Sequence, residues 1–141
     1  MENPPTETNL DPALADSVVT TVRTGLGDTL RSVIAFSPSG FDVLYIRSDL
    51  YDSPEQVREA KGQLVEFERV GFAEAPIRTA IAETESRATI GPYAFTVRFH
   101  EEGFVVRQIV DDFGILFTTD SMDVRAFTET AVSIQSLLGD E

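Results

Sequence analysis

Three strand-like runs lie next to one another between residues 93 and 119, separated only by two short turns. In the first run large apolar residues alternate with smaller or polar ones, as in a half-buried strand. These large residues are Tyr93, Phe95, Val97 and Phe99. Residues 104–110 (FVVRQIV) are apolar on both sides of the alternation, which is typical of an interior strand, and ILFTT follows the turn DDFG. Short turns join antiparallel strands, so this region predicts a three-strand meander.

The turn HEEG between the first two runs leaves two registers open. It fits a type I turn whose final residue, Gly103, adopts the left-handed conformation of a bulge, and Phe99 would then pair with Val105. With a strict two-residue loop, Phe99 would pair with Phe104 instead.

Helical patterns and one further hairpin fill the rest of the chain. Asp11 and Pro12 begin a helix that extends to about residue 30, and RSVIAF and FDVLYIRS, joined by SPSG, predict a hairpin. Ser53 caps a second helix, which ends near Gly71 as a left-handed C-cap. Its predicted apolar face consists of Val57, Ala60, Leu64 and Phe67.

The last predicted helix covers residues 121–138, with Asp120 as its cap. Its apolar residues recur at helical spacing. They are Val124, Phe127, Ala131, Ile134 and Leu138. The spacing in residues 72–88 is weak, and it leaves a short helix or a surface loop open there.

The predicted fold class is therefore α+β. A five-stranded antiparallel sheet, made of a hairpin plus a three-strand meander, is flanked by three helices in the order α-β-β-α-β-β-β-α. Residues 1–10 contain two adjacent prolines and read as a disordered acidic tail, and residues 11–141 form a single domain.

Charge is the most unusual property of the composition. Asp and Glu number 24 against 11 basic residues, and Lys61 is the sole lysine, so the formal net charge is −13. Acid-rich, lysine-poor chains with ordinary apolar content resemble proteins of salt-in halophiles, especially haloarchaea. The acidity and the absence of basic clusters argue against nucleic acid as a partner.

The sequence also lacks cysteines, a long apolar run and a signal-peptide pattern, and these absences bear on its bonding and its location. There are no cysteines, so disulfides and thiolate metal sites are excluded. No apolar run approaches the roughly 20 residues that span a bilayer. The N-terminus has no basic segment followed by an apolar one, so we expect no signal peptide, no membrane association and a cytoplasmic location.

The only histidine, His100, stands beside Glu101 and Glu102, which raises the question of a metal or acid/base site. The nearest other acidic pair is Asp111 and Asp112, at the far end of the next strand. At roughly 3.4 Å per residue that is about 20 Å away, too far to share an ion. We therefore interpret His100 as part of a hairpin tip, and predict no catalytic residue, no metal site and no cofactor.

Two arginines and several aromatic residues remain as candidates for a partner or ligand surface. Arg98 and Arg107 are predicted on opposite faces of the sheet, each beside an acidic neighbour, and strand-face ion pairs are favoured over anion binding. The aromatic residues exceed what one inner face needs. Phe104, Phe113 and Phe117 complete this candidate surface.

Several stretches resemble a family of small haloarchaeal proteins known as a domain of unknown function. They are LRSVIAF, LYIRSDLY, ERVGF, GPYAFTVRFHEEGFVVR and GILFTTD. Separately, the order of elements over residues 12–138 resembles the roadblock/LC7, longin and profilin-like architecture. By fold analogy this implies small GTPases or signalling complexes as partners, while the haloarchaeal resemblance implies no activity.

The sequence thus favours a non-enzymatic interaction or regulatory module, a dimeric signalling or scaffolding subunit that binds a protein partner or a second copy of itself. The alternative is a sensing domain that binds a small apolar or anionic molecule between sheet and helix. A deep cavity with converging polar groups would favour the sensor, and a flat apolar face the module.

Stability should rise steeply from low to molar KCl. The surplus carboxylates repel one another at low salt, whereas the Debye length falls to about 3 Å at 1 M and screens them. The thermal midpoint, measured by circular dichroism over that range, checks this. A midpoint that does not change with KCl would contradict a halophilic origin.

Overall fold

The computed structural model describes residues 7–84 and 90–139, which form four α-helices and five strands. In chain order these are α1 (Pro12–Leu26), a 3-10 turn (Gly27–Thr29), β1 (Leu30–Phe36), β2 (Phe41–Ile46), α2 (Pro54–Glu68), α3 (Gly71–Thr84), β3 (Thr96–His100), β4 (Gly103–Val110), β5 (Phe113–Thr119) and α4 (Val124–Leu138).

The five strands form one antiparallel sheet in the order β2-β1-β5-β4-β3. The hairpin β1–β2 and the meander β3–β4–β5 are joined by pairing of β1 with β5. The predicted α+β class and its five-stranded antiparallel sheet are confirmed. The segment that the sequence left open between helix and loop contains α3, which continues to Thr84, and residues 85–88 of that segment lie outside the described residues.

Helices cover both faces of the sheet. Helices α1 and α4 pack side by side on one face, where Gly25 leaves room for Thr130, since a Cβ at Gly25 would lie 2.5 Å from the Thr130 hydroxyl oxygen. The larger apolar core lies beneath them and includes Val22, Val33 and Phe117. Helices α2 and α3 cover the other face, over a smaller core that contains Phe36 and Val65.

The helix starts follow from local hydrogen bonds. The Asp11 carboxylate accepts from the backbone N–H of Ala13 at 2.8 Å at the start of α1, as predicted. Ser53 likewise accepts from the backbone N–H of Gln56 at the start of α2. For α4 the predicted cap is wrong, because Asp123 rather than Asp120 accepts from Ala126.

Helix α2 differs from its prediction in its end and in its buried face. It ends at Glu68 with a right-handed cap, and Gly71 begins α3 instead of closing α2 with a left-handed residue. Phe67, predicted on the apolar face, is exposed. The buried residues are Val57, Lys61, Val65 and Glu68. Two charged side chains therefore take interior positions that hydrophobic spacing assigned to Ala60 and Phe67.

The β3–β4 hairpin adopts the strict register. Phe99 pairs with Phe104 and His100 with Gly103, which leaves Glu101 and Glu102 as the loop. The expectation of a left-handed Gly103 is wrong, because Gly27 and Gly91 are the glycines with positive φ in the part of the chain that the structure describes.

The described chain begins at Glu7, before α1. Of the predicted tail, residues 1–6 lie outside the described residues, whereas residues 7–10 are held against the start of β2. The backbone N–H groups of Glu7 and Thr8 donate to the Asp42 carboxylate at 2.9 and 3.1 Å, and Leu10 is buried in the larger core.

Replacing Gly114 with alanine should lower the free energy of unfolding by about 1–3 kcal/mol, because a Cβ there overlaps the buried Phe36 ring. Gly62→Ala in α2 is the control, since its Cβ would lie 3.3 Å from the partly buried Phe41 ring and alanine favours a helix. Urea denaturation in molar KCl measures both. Equal midpoints for the two variants would contradict this packing.

Candidate functional site

A buried ion cluster connects α2 and α3 to the β3–β4 edge of the sheet. Arg107 of β4 donates from Nη1 to Glu68 at the end of α2 at 3.1 Å, and both side chains are only 1% exposed. Arg98 of β3 donates to the same carboxylate, from Nε at 2.6 Å and from Nη2 at 3.1 Å. One glutamate therefore binds two arginines on neighbouring strands.

Arg107 has further partners on the other side of its guanidinium group. Its Nη2 donates to the Glu74 carboxylate of α3, to the Thr96 hydroxyl at 2.9 Å and to the Tyr93 hydroxyl at 3.2 Å. Its Nε is buried without a hydrogen-bond partner. Gly71 makes this arrangement feasible, because a Cβ there would lie 2.8 Å from Nε and 2.9 Å from Cζ.

The prediction that Arg98 and Arg107 lie on opposite faces is wrong. Thr96 pairs with Arg107, and Arg98 pairs with Val105. Paired residues share a face, and so do residues two apart along a strand. Both arginines therefore point toward α2 and α3. Both arginines form ion pairs, as the sequence favoured: they share Glu68, and Arg107 also binds Glu74.

The cluster has the chemistry of a structural anchor. Arginines and glutamates neutralise one another, and the hydrogen bonds occupy both Nη atoms of Arg107. The hydrogen bond from Arg107, opposed by burial and aided by Arg78, lowers the pKa of Glu74. A carboxyl group whose pKa is lower in the folded state stabilises the fold above its unfolded pKa. This contribution is lost as the pH falls through the folded pKa.

A second ion cluster ties one end of the sheet together. Asp120, after β5, accepts from Arg31 at 2.9 Å and from Arg47 at 2.7 Å, and Arg47 also donates to the backbone carbonyl of Asp28. These two arginines, Arg47 first, lower the pKa of Asp120. The residue predicted as a helix cap thus serves to join β1, the segment after β2 and β5.

The residues predicted as a partner or ligand surface do not form one surface. Phe117 is fully buried and packs edge to face on Phe127 with ring centroids 5.8 Å apart, and Arg107 is equally interior. Phe104 is partly buried and packs edge to face on the exposed Phe99 at 5.2 Å. Phe113, also partly buried, packs against the larger core from the β4–β5 turn. Arg98 is the most exposed of the predicted set.

His100 lies at the end of β3, beside the two-residue loop. Asp111 and Asp112 form the turn at the opposite end of β4. Within residues 7–84 and 90–139 no three His, Asp or Glu side chains are grouped closely enough to hold a metal ion. The hairpin geometry thus keeps the histidine and the aspartate pair apart.

An exposed apolar stripe on α3 was not predicted from the sequence. Val70, just before the helix, and Ile77 and Ile81 within it lie on one side of the helix at helical spacing, and each is more than half exposed. We call these three residues the α3 stripe. Ile81 also lines a small cavity with Ile90 and Phe95, so the apolar surface continues toward β3. The four-residue spacing of the isoleucines was the available signal.

Two layers of helices around a sheet of order β2-β1-β5-β4-β3 define a roadblock/LC7-like fold, as the sequence predicted. The chain belongs to the family described as a domain of unknown function, DUF7522, whose model matches residues 16–139. The resemblance to a family of unknown function is thereby confirmed. No curated protein matches the sequence.

Solved structures with the same fold are distant in sequence. The structure of the gliding protein MglB from Thermus thermophilus is 14% identical with a TM-score of 0.55, over 99% of this chain and 100% of that one. A structure titled MglB with tetrameric arrangement is 14% identical with a TM-score of 0.53, over 97% of each chain. At this identity the likeness establishes the fold alone.

A helix that spans a membrane must be long and predominantly apolar. Over the described ranges, the helices are too short or too polar to cross a bilayer.

Removing the shared carboxylate should strongly destabilise the fold. Glu68→Ala leaves buried Arg107 without its Nη1 partner, and breaking a buried pair on one side reduces stability by about 3–5 kcal/mol. Urea denaturation in molar KCl measures the loss.

Glu66→Ala is the matched control on the same helix. Glu66 pairs with Arg69 at the surface and is 66% exposed, so its loss should change stability by less than about 1 kcal/mol. If Glu68→Ala were no more destabilising than Glu66→Ala, the buried cluster would not anchor α2 to the sheet.

Proposed function

We propose that this protein is a non-enzymatic interaction module that acts as a homodimeric regulatory or scaffolding subunit in the cytoplasm of a halophilic archaeon. The observation that carries the proposal is the α3 stripe beside the β3 edge of the sheet. The acidic, lysine-poor composition supports the halophilic part.

The β3 edge suits pairing with a second chain. Within the described residues β3 pairs only with β4, so the N–H and C=O groups along its other side are free to extend the sheet. The Arg98 charge on this strand is paired with Glu68 on the face toward α2. The edge strand thus offers backbone hydrogen bonds with limited like-charge repulsion between two copies.

The α3 stripe supplies the apolar part of the same interface. Glu74 lies on α3 between the stripe and the buried face of the helix and contacts Arg107 of β4. Ile81 lines a cavity with Phe95, which directly precedes β3, so the stripe lies toward the β3 side of the sheet. Exposed apolar patches on a soluble domain typically mark interaction sites. A two-fold axis beside β3 would bring the stripes of two copies together while the two edge strands pair.

The fold comparison adds support for self-association. One structural neighbour is MglB with a tetrameric arrangement. A dimer of this chain would present a wider sheet and helix surface to a further protein, and small GTPases or signalling complexes are the partner class that the fold analogy suggests. Such a subunit needs no catalytic activity.

In molar KCl, light scattering coupled to gel filtration should give twice the chain mass of 15.5 kDa at tens of micromolar protein. The double variant Ile77→Asp and Ile81→Asp should give the monomer mass, because it places four carboxylates in the two-fold contact. Both side chains are exposed, so the variant should keep its circular dichroism spectrum.

Val132→Asp is the control for this experiment. Val132 is 63% exposed on α4, comparable with 60% for Ile77, but α4 covers the opposite face of the sheet. This variant should remain a dimer. A monomeric wild type, or dissociation by Val132→Asp and not by the double variant, would contradict the proposed interface.

A further inference from the structure

The sole lysine of the chain occupies an unusual position. Lys61 lies in the middle of α2 on the face toward the sheet and is only 8% exposed. It forms no ion pair with any described residue, although the chain has 24 acidic residues. Its ammonium group lies 5.6 Å from the centre of the Tyr51 ring, in a cation–π interaction.

A lysine this far inside the fold, with no ion-pair partner among the described residues, needs a physical explanation. Lysine usually buries its stem and keeps its ammonium group in water, and a buried charge is normally paired because its desolvation is unfavourable. At 5.6 Å the Tyr51 ring is near the limit of about 6 Å for a cation–π contact, so it offsets that penalty only weakly. The buried glutamate on the same helix, Glu68, shows the contrasting case, since it binds two arginines.

Lys61 lines a cavity of about 360 Å³ between α2 and the end of the sheet where β3 and β4 meet. Two other basic side chains, Arg31 and His100, line the same cavity. Thr118 adds a hydroxyl group, which shares a hydrogen bond of 2.5 Å with Ser32 and has further bonding capacity. Leu64, Val105 and Phe104 contribute apolar wall.

Basic side chains outnumber acidic ones in the cavity wall. Arg31 is already bound to Asp120 through Nη1, which leaves its other N–H groups for a further acceptor. Glu102 is the acidic residue of the cavity wall, and it lies in the exposed two-residue loop. A protein with a net charge of −13 thus places its lysine and its histidine around one opening.

We propose that this cavity binds a small oxyanion, a phosphate group either free or as the monoester of a small molecule. The anion would pair with the Lys61 ammonium and neutralise it, and would accept hydrogen bonds from Arg31, His100 and the Thr118 hydroxyl. Phosphate fits this donor set because it presents several strong acceptors to converging cations. The site is independent of the proposed dimer and agrees with the anionic-ligand alternative that the sequence left open.

The test is calorimetric titration of the purified chain with inorganic phosphate and, separately, glycerol 3-phosphate. Total ionic strength is held at a molar level with KCl, so that general screening is constant. The wild type should bind one equivalent of at least one probe, with a rise in the thermal midpoint that follows its concentration. Tighter binding of glycerol 3-phosphate would indicate a phosphorylated small molecule, and tighter binding of phosphate would indicate the free anion.

Lys61→Met should weaken this binding at least tenfold, and Lys61→Arg should retain part of it because the charge is kept. Arg125→Met, which removes a positive charge from the exposed surface of α4, is the matched control and should bind as the wild type does. The double variant Ile77→Asp and Ile81→Asp should also bind normally, which separates this site from the dimer interface.

Two results would overturn the proposal. One is the absence of binding of either probe to the wild type up to tens of millimolar. The other is binding that Lys61→Met or, if that variant does not fold, Lys61→Gln leaves at wild-type strength. A more stable Lys61→Met with no response of the wild type to phosphate would mean that the lysine is simply a buried side chain with no ligand.

Discussion

One buried carboxylate, that of Glu68, links α2 to two strands of the sheet and, through Arg107, to α3. Glu68 is the last residue of α2, and its two oxygens bind Arg98 and Arg107 on adjacent strands. Arg107 in turn reaches Glu74, so the start of α3 is fixed to the same point. The core on this side of the sheet is the smaller one. Charge pairing therefore supplements apolar packing in placing α2 and α3.

The same ion cluster also fixes which side of α3 faces the sheet and which side faces solvent. Gly71 lets the helix begin directly against the Arg107 guanidinium, and Glu74 then turns one side of α3 toward the sheet. The remaining side carries Ile77 and Ile81 into solvent. A loosely held helix could rotate to bury them, but the ion pairs oppose that rotation. The buried contact between Glu74 and Arg107 thus determines that Ile77 and Ile81 are exposed.

Sequence periodicity was sufficient for the sheet and insufficient for α2. Alternation and short turns predict the strands because each depends on neighbouring residues only. Burial of Glu68 depends on arginines 30 and 39 positions away, and Lys61 faces a cavity lined by residues of strands distant in the sequence. Hydrophobic spacing therefore assigned Ala60 and Phe67 to the inner face. The arginines themselves were misplaced through the parity of the β3–β4 register, which decides the face of every residue in the hairpin.

The two edges of the sheet differ in a way that limits growth. Along the start of β2, the chain's own residues Glu7 and Thr8 bind Asp42, whereas β3 has no such cover in the described part of the molecule. A sheet with two open edges can add copies at both ends and form fibres. When only one edge accepts another copy, two copies close the available surface and addition ends there. In the proposed dimer, the contacts of Glu7 and Thr8 with Asp42 would hinder addition of a further copy at the start of β2 and so favour a finite assembly over an open-ended one.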